Sequence, residues 1–181
     1  DCLDLGGYLN LPENLQSIGE YAFAGRSTAS NKLSGDLIIP DSVFFIGKYA
    51  FRGCNFFNGI LSLSTRLTEI PEHAFSQCSR LHGNILVGDN VKIIGPYAFD
   101  GCTSISGYIS LGENIKEIKI SAFKRISAKK IYSKSTIPPT LEYGVNSIFD
   151  SWSYLGVPIG CKNTYQTRWD IPFWTIEELE F

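Results

Sequence analysis

Apolar and polar residues along the chain follow a frame that returns five times. Each copy contains the dipeptide Ala-Phe, beginning at positions 22, 50, 74, 98 and 122, so that the intervals are equal except for a slightly longer first one. Between these blocks lies a second frame, as in SGDLIIP and HGNILVG, in which apolar residues alternate after a glycine. Such alternation predicts a short β-strand. Self-similarity at this period predicts a repeat protein.

A single repeat unit is too short to bury its own apolar positions. Stacked units can bury these positions, because equivalent side chains then line up in columns and form one continuous core. The repeats predict four such columns. They are Leu9, Leu37, Leu61, Ile85 and Ile109; Leu11, Ile39, Leu63, Val87 and Leu111; Ile18, Ile46, Ile70, Ile94 and Ile118; and Phe23, Phe51, Phe75, Phe99 and Phe123.

The repeated frame I-G-x-x-A-F-x-x-C, followed by an apolar strand and P-x-S/N-V, resembles the BspA-like leucine-rich repeats of bacterial surface proteins and some protists. The resemblance covers residues 5 to about 133, with the clearest copies at 37–111. It implies an α/β or mainly β solenoid, a right-handed superhelix with a short parallel sheet on its concave face. One departure is an additional residue and a glycine before each strand, so the turn that enters the strand is expected to differ.

The repeat degrades after Ala128, because EYGVNSIFDS contains no Ile-Gly or Ala-Phe block. We therefore expect a solenoid over residues 1–133, and a degenerate last turn with a C-terminal cap over 134–181. Aromatic residues are expected to cover the open end of the core. They are Trp152, Tyr154, Tyr165, Trp169, Phe173 and Trp174. The less favoured alternative is that the tryptophans form a carbohydrate-binding platform. The polar segment RSTASNK in the longer first interval is expected to form a loop.

Composition narrows the classes of function. A net charge of −2 and a pI near 5.7 provide no basic surface for nucleic acid and no polybasic segment for an anionic membrane. No apolar run is long enough to insert into a membrane, and the start DCLDLGGYLN does not resemble a signal peptide. The absence of methionine suggests a processed form or an excised segment.

No pattern of catalytic, metal or cofactor-binding residues emerges, so we expect neither enzyme activity nor a cofactor. Cys54, Cys78 and Cys102 recur once in each of three successive copies, which predicts a buried column of small side chains. Cys2 and Cys161 are expected at opposite ends of the stack, too far apart for a disulfide. His73 replaces the tyrosine of other copies. A hydrolase that uses Cys78 with His82 is conceivable, but no orienting group or oxyanion loop supports it.

Exposed strand residues form the candidate binding site, because they vary between copies while the core columns do not. They are Tyr8, Asn10, Asp36, Ile38, Ile60, Ser62, Asn84, Leu86, Tyr108, Ser110, Lys130 and Tyr132. The favoured function is a secreted or cell-surface recognition module that binds a protein or extracellular-matrix ligand. Ile38, Ile60 and Leu86 form either a binding patch or merely tolerated aliphatic positions. One alternative is glycan binding by the C-terminal aromatics or by exposed tyrosines, and another is a structural segment of a larger surface protein.

Overall fold

The computed structural model describes residues 6–25, 32–144, 148–149, 154–171 and 175–181. Within these residues the chain winds into a parallel-strand solenoid of about six turns with little helix. Cys2, Trp152, Phe173, Trp174 and residues 26–31 of the expected loop lie outside the described residues.

The alternating apolar stretches form one side of the solenoid, which we call the first sheet; its strands pair in parallel and in three separate ladders. The strands are β1 (Gly6–Tyr8), β3 (Lys32–Ser34), β4 (Leu37–Ile38), β6 (Leu61–Ser62), β8 (Ile85–Leu86), β10 (Tyr108–Leu111), β12 (Lys130–Ser133), β14 (Tyr154–Pro158) and β15 (Thr175–Leu179). Leu37 pairs with Leu61, and Ile85 pairs with Ile109, so these predicted core residues lie side by side. Alternation then directs their neighbours to the outside of the sheet.

A second sheet carries the isoleucine column. Its strands are β2 (Ser17–Ile18), β5 (Phe45–Ile46), β7 (Glu69–Ile70), β9 (Ile93–Ile94), β11 (Glu117–Ile118) and β13 (Thr140–Leu141). Ile70 pairs with Ile94, and Ile94 with Ile118. This register places these isoleucines directly against their equivalents, whereas no ladder joins β5 to β7 among the described residues.

The Ala-Phe blocks build a third side from stacked turns. The backbone N–H of Phe51 donates to the carbonyl of Ala74 over 2.8 Å, and the N–H of Phe75 donates to the carbonyl of Ala98 over 2.9 Å. The residue before the alanine has a left-handed backbone, as at His73, where φ is 54°. The same hydrogen bonds and the same turn therefore recur along the stack.

The core is the set of predicted columns. The phenylalanine rings stack nearly parallel, with centroids 5.5 Å apart between Phe51 and Phe75 and 5.4 Å apart between Phe75 and Phe99. All column members are buried except Leu9, Leu11, Leu63 and Phe23, which are partly buried against the same core. The four predicted columns are thus confirmed.

A sixth turn follows the five recognised in the sequence. It begins at β12, and its second strand, β13, pairs with β11. Phe149 then stacks on Phe123 at 5.6 Å, so Ile148 and Phe149 occupy the place of Ala-Phe. The motif was missed because isoleucine stands where the other copies have alanine.

The end of the core is covered by helix α1 (Lys162–Trp169). The Tyr165 hydroxyl is buried, hydrogen-bonds the Ser133 hydroxyl and donates to the carbonyl of Ser135, both over 2.7 Å. Trp169 is only 3% exposed, and its Nε1 donates to the carbonyl of Pro139 over 3.0 Å. Tyr165 and Trp169 therefore pack against the last turn, where the sequence analysis expects a cap. The platform hypothesis is wrong for Trp169, because no face of its ring is available to a sugar.

Truncating the middle of the aromatic column is expected to be costly. Phe75→Ala leaves a cavity between two stacked rings, so the free energy of unfolding should fall by about 3–5 kcal/mol. Urea denaturation followed by circular dichroism measures the change. The control is Phe45→Ala, which removes a ring that is 53% exposed. Equal effects of the two variants would contradict the role given to the column.

Candidate binding face

The outward residues of the first sheet form two rows across the turns, one on each side of the buried column. The first row contains Asp36, Ile60, Asn84, Tyr108, Lys130 and Tyr154, and the second contains Ile38, Ser62, Leu86, Ser110 and Tyr132. Asn84, Tyr108, Ser110, Tyr132 and Tyr154 are half-buried, and the others are exposed. Tyr8 and Asn10 are exposed in the first turn. We name the surface formed by these residues the first face.

Tyr154 was not predicted at this location. It was assigned to the cap, but its strand β14 pairs with β12 and places Tyr154 beside Lys130. The Lys130 ammonium lies 5.6 Å from the centre of the Tyr154 ring. Tyr154 follows Lys130 at the same interval that separates the later Ala-Phe blocks, but the absence of an Ala-Phe block between them hid the equivalence.

Two residues of the predicted site bridge neighbouring turns. Asp36 Oδ1 accepts a hydrogen bond from the N–H of Ile60 over 2.8 Å, and Asn84 Oδ1 accepts one from the N–H of Tyr108 over 3.0 Å. A Cβ at Gly59 would lie 2.0 Å from Asp36 Oδ1. The glycine before the strand therefore makes room for the side chain of the preceding turn. These contacts give Asp36 and Asn84 a structural role, whether or not they also bind a ligand.

The second and fourth turns, which contain Asp36 and Asn84, each carry a bulge just before the strand. Aligning the repeats places Tyr8 beside Asp36, but in the structure Tyr8 pairs with Ser34. Gly35 follows with a φ of +82°, a conformation that glycine adopts without strain. Ile60 likewise pairs with His82, and Gly83 has a φ of +83°. The bulges displace the strands of the second and fourth turns from the turns that precede them.

Each bulge is accompanied by an opening in the first sheet. The N-terminal cleft lies between residues 9–11 and 36–40 and has a volume of about 710 Å³. The central cleft lies between residues 61–63 and 86–88 and has a volume of about 520 Å³. No ladder joins β6 to β8 among the described residues. The second sheet stays continuous beneath the central cleft, because β7 pairs with β9.

Aliphatic side chains stand at the edges of these clefts. Ile38 is 53% exposed and lines the N-terminal cleft, while Ile60 and Leu86 are 47% and 53% exposed and line the central cleft. Half-exposed aliphatic residues on neighbouring turns provide apolar contact area on a rigid sheet.

Half-buried tyrosines dominate the other end of the first face. The rings of Tyr108 and Tyr132 meet edge to face at 5.2 Å, and those of Tyr132 and Tyr154 meet at 5.6 Å with an interplanar angle of 62°. The Tyr154 hydroxyl donates to Glu177, and this hydrogen bond raises the pKa of Tyr154 to about 12. The tyrosines are therefore held in place by one another and by the last strand.

Comparison with known proteins agrees with this geometry. The family model for the BspA type leucine rich repeat region matches residues 5–82 and 29–155, with six copies. The chain belongs to the BspA-type leucine-rich-repeat family.

One similar solved structure is that of a leucine rich cell surface protein from Faecalibacterium prausnitzii A2-165. The two share 28% sequence identity and superpose with a TM-score of 0.58. The match covers 70% of this chain but only 31% of that protein, so the chain corresponds to about a third of the relative's length. No curated protein shows significant similarity to the chain.

The cysteines of the BspA-type frame behave as core residues. Cys54, Cys78 and Cys102 are buried, and their Sγ atoms donate to the carbonyls of Phe23, Phe51 and Phe75 respectively. Burial raises the pKa of Cys78 well above its usual range and that of Cys102 to about 12. The described residues contain no group of three or more His, Cys, Asp or Glu that could hold a metal ion.

The two histidines occupy different environments from these thiols. His73 stacks between Tyr49 and Tyr97 at 4.9 and 4.7 Å, which confirms that it takes the tyrosine position. Burial lowers its pKa. His82 is exposed at the bulge of the fourth turn, whereas the Cys78 thiol is enclosed in the core.

No helix among the described residues is long and apolar enough to cross a bilayer.

The burial of the thiols predicts slow modification. In a Cys2→Ser variant, iodoacetamide at about pH 8 should label Cys54, Cys78 and Cys102 only after unfolding, because the thiolate is the reactive form. A site with a pKa of about 12, as at Cys102, has few thiolates under these conditions. Mass spectrometry of peptides from folded and guanidinium-unfolded protein gives the labelling at each site. Rapid labelling of Cys102 in folded protein would show that the core is open there.

Proposed function

We propose that this chain is a non-catalytic recognition module of a secreted or cell-surface bacterial protein, and that its first face binds a protein or extracellular-matrix ligand. The observation that carries the proposal is the exposure of Ile38, Ile60 and Leu86, at 53%, 47% and 53%, on neighbouring turns of the first face. The cell-surface relative supports the location. A rigid array of exposed side chains favours binding, because little entropy is lost when the array is covered.

Glycan binding is the second candidate. The row of Tyr108, Tyr132 and Tyr154 supports it, since tyrosine combines an apolar ring with a hydroxyl that can hydrogen-bond. The burial of Trp169 removes one of the C-terminal aromatics that this hypothesis first included. The tyrosines lie beyond the aliphatic residues along the stack, so the two candidates can be separated by mutation.

A binding screen against immobilised matrix proteins and a glycan array tests both candidates. The variant Ile38→Ser/Ile60→Ser/Leu86→Ser should weaken binding to a protein ligand at least about tenfold, or ~1.4 kcal/mol, because three apolar contacts are lost. The matched control is Phe44→Ser/Phe45→Ser, which removes exposed apolar groups from the second sheet. Circular dichroism and a thermal melt establish that each variant is folded.

The outcomes separate the hypotheses. Protein binding that the triple variant loses and the control keeps supports the proposal. Binding that survives in the triple variant contradicts it. Glycan binding that the triple variant keeps, and that Tyr108→Ala loses, moves the site to the tyrosines. A lack of binding on both arrays favours a structural segment of a larger surface protein.

A further inference from the structure

The two clefts leave backbone hydrogen-bonding groups without partners among the described residues. The N–H groups of Leu11, Leu61 and Leu63 donate to no acceptor in the described part of the next turn. In the turn between the clefts, the equivalent N–H groups are paired: Leu37 donates to Ile60 and Ile39 to Ser62, both over 2.9 Å. Exposed backbone groups at the edge of a strand can pair with another extended chain.

Both clefts are closed at their two ends, so each is a defined hollow and not a frayed edge. The central cleft is closed by the hydrogen bond from His82 N to Gly59 O, at 3.0 Å, and by that from Asn90 Nδ2 to Thr65 O, at 2.9 Å. The N-terminal cleft is closed by the β1–β3 ladder and by the hydrogen bond from Ser42 Oγ to Leu15 O, at 2.7 Å. A ligand enters from the first face.

The floor of each cleft is apolar. Leu11 and Leu63 are only partly buried, whereas Ile39 and Val87 of the same column are 2% and 4% exposed. The alternation follows the clefts, because Leu11 and Leu63 belong to the turns that precede the bulges. Aliphatic parts of a ligand would therefore cover core residues that the stack leaves accessible.

The charges around the N-terminal cleft favour a basic ligand. Glu13, Asp36 and Asp41 line the N-terminal cleft, and no Lys or Arg is among its described lining residues. Hydrogen bonds from the backbone and hydroxyl of Thr65 lower the pKa of Asp41, so it stays anionic at neutral pH. Asp89 lines the central cleft together with Lys134, whose ammonium lies 3.4 Å from it. The N-terminal cleft is thus the more strongly acidic of the two.

The clefts are two turns apart, which sets the spacing of a ligand that occupies both. Ring stacking gives 4.7 Å per turn between Tyr21 and Tyr49 and 4.9 Å between Tyr49 and His73, so the clefts are separated by about 10 Å. Three residues of a polyproline II chain rise about 9 Å and return a side chain to the same face.

We propose that the two clefts are paired subsites for one basic, extended polypeptide segment, whose side chains at positions i and i+3 enter them. A polypeptide fits because unpaired backbone groups can pair with its N–H and C=O groups, and Lys or Arg fits because its stem is apolar and its tip is cationic. This inference rests on the proposed protein-binding function and names the chemistry of the ligand.

Labelled proline-rich peptides provide the probes. One peptide carries Lys at i and i+3, a second carries Lys at i and i+2, and a third has Gln in place of both lysines. Fluorescence anisotropy with the full chain should show binding of the first peptide at least about tenfold tighter than the other two, weakening as salt is added. Equal binding of the first two peptides would overturn the paired subsites.

Isosteric variants test the charges. The variant Glu13→Gln/Asp41→Asn keeps the hydrogen-bond acceptor for Thr65 but removes two charges. It should weaken binding of the peptide with Lys at i and i+3 at least about tenfold. The control Glu20→Gln/Glu69→Gln removes two exposed carboxylates that do not line the cleft, and should change binding less than about twofold. Equal effects of the two variants would show that the attraction depends only on the net charge of the chain, and would overturn the cleft assignment.

Amide hydrogen exchange gives a readout that a general electrostatic effect would not change. The amides of Leu11 and Leu63 should exchange rapidly in the unbound chain and slow down when the peptide binds, whereas those of Leu37 and Ile39 should be slow throughout. Protection of Leu11 and Leu63 before the peptide is added would overturn the inference.

The inference and the proposed function can fail separately. Suppose that a matrix ligand loses its binding in the triple serine variant, keeps it in Glu13→Gln/Asp41→Asn and does not protect the amides of Leu11 or Leu63. The first face would then remain the binding surface, and the assignment of the clefts as subsites would be overturned. Binding of neutral glycans in the clefts, with protection of the same amides, would overturn both.

Discussion

Everything in this molecule depends on the fact that a turn is covered only by its neighbours. Phe75 is buried because Phe51 and Phe99 stack on its two faces, and Ile94 is buried between Ile70 and Ile118. A single turn contains no pair of elements that could enclose these side chains. Stability is therefore shared between adjacent turns, and the last turn requires a cover of different composition, which α1 supplies through Tyr165 and Trp169.

Stacking constrains the backbone as well as the side chains. The second sheet and the Ala-Phe turns bring each residue against its equivalent in the next turn, so the register on these two sides hardly varies. The first sheet departs from this rule at Gly35 and Gly83, where a left-handed glycine makes a bulge. The bulged turns still hold the next turn through Asp36 and Asn84, but beyond each bulge they have no ladder to the turn before. The clefts result from this missing ladder.

The core could be predicted from the sequence because identical columns require identical residue types at a fixed period. A degenerate last turn was expected, but its Ile148-Phe149 block was missed because the motif was defined by alanine, whereas Phe149 alone continues the aromatic stack. The place of Tyr154 was missed because its segment was assigned to the cap, although it follows Lys130 by one full repeat interval. The bulges could not be foreseen, since Gly35 and Gly59 occupy the same frame in the sequence, but only Gly35 has a positive φ.

The candidate binding residues were harder to interpret than the core, for a physical reason. An outward position on a solenoid can serve the stack, serve a ligand or do neither, and alternation alone identifies only the outward direction. The structure separates these cases in part. Asp36 and Asn84 each use an oxygen to hold the next turn, while Ile38, Ile60 and Leu86 remain about half exposed without stabilising an equivalent column. The two Gly-Asx turns therefore coincide with the two openings in the first face, and the outward residues of the other turns lie where the sheet is closed.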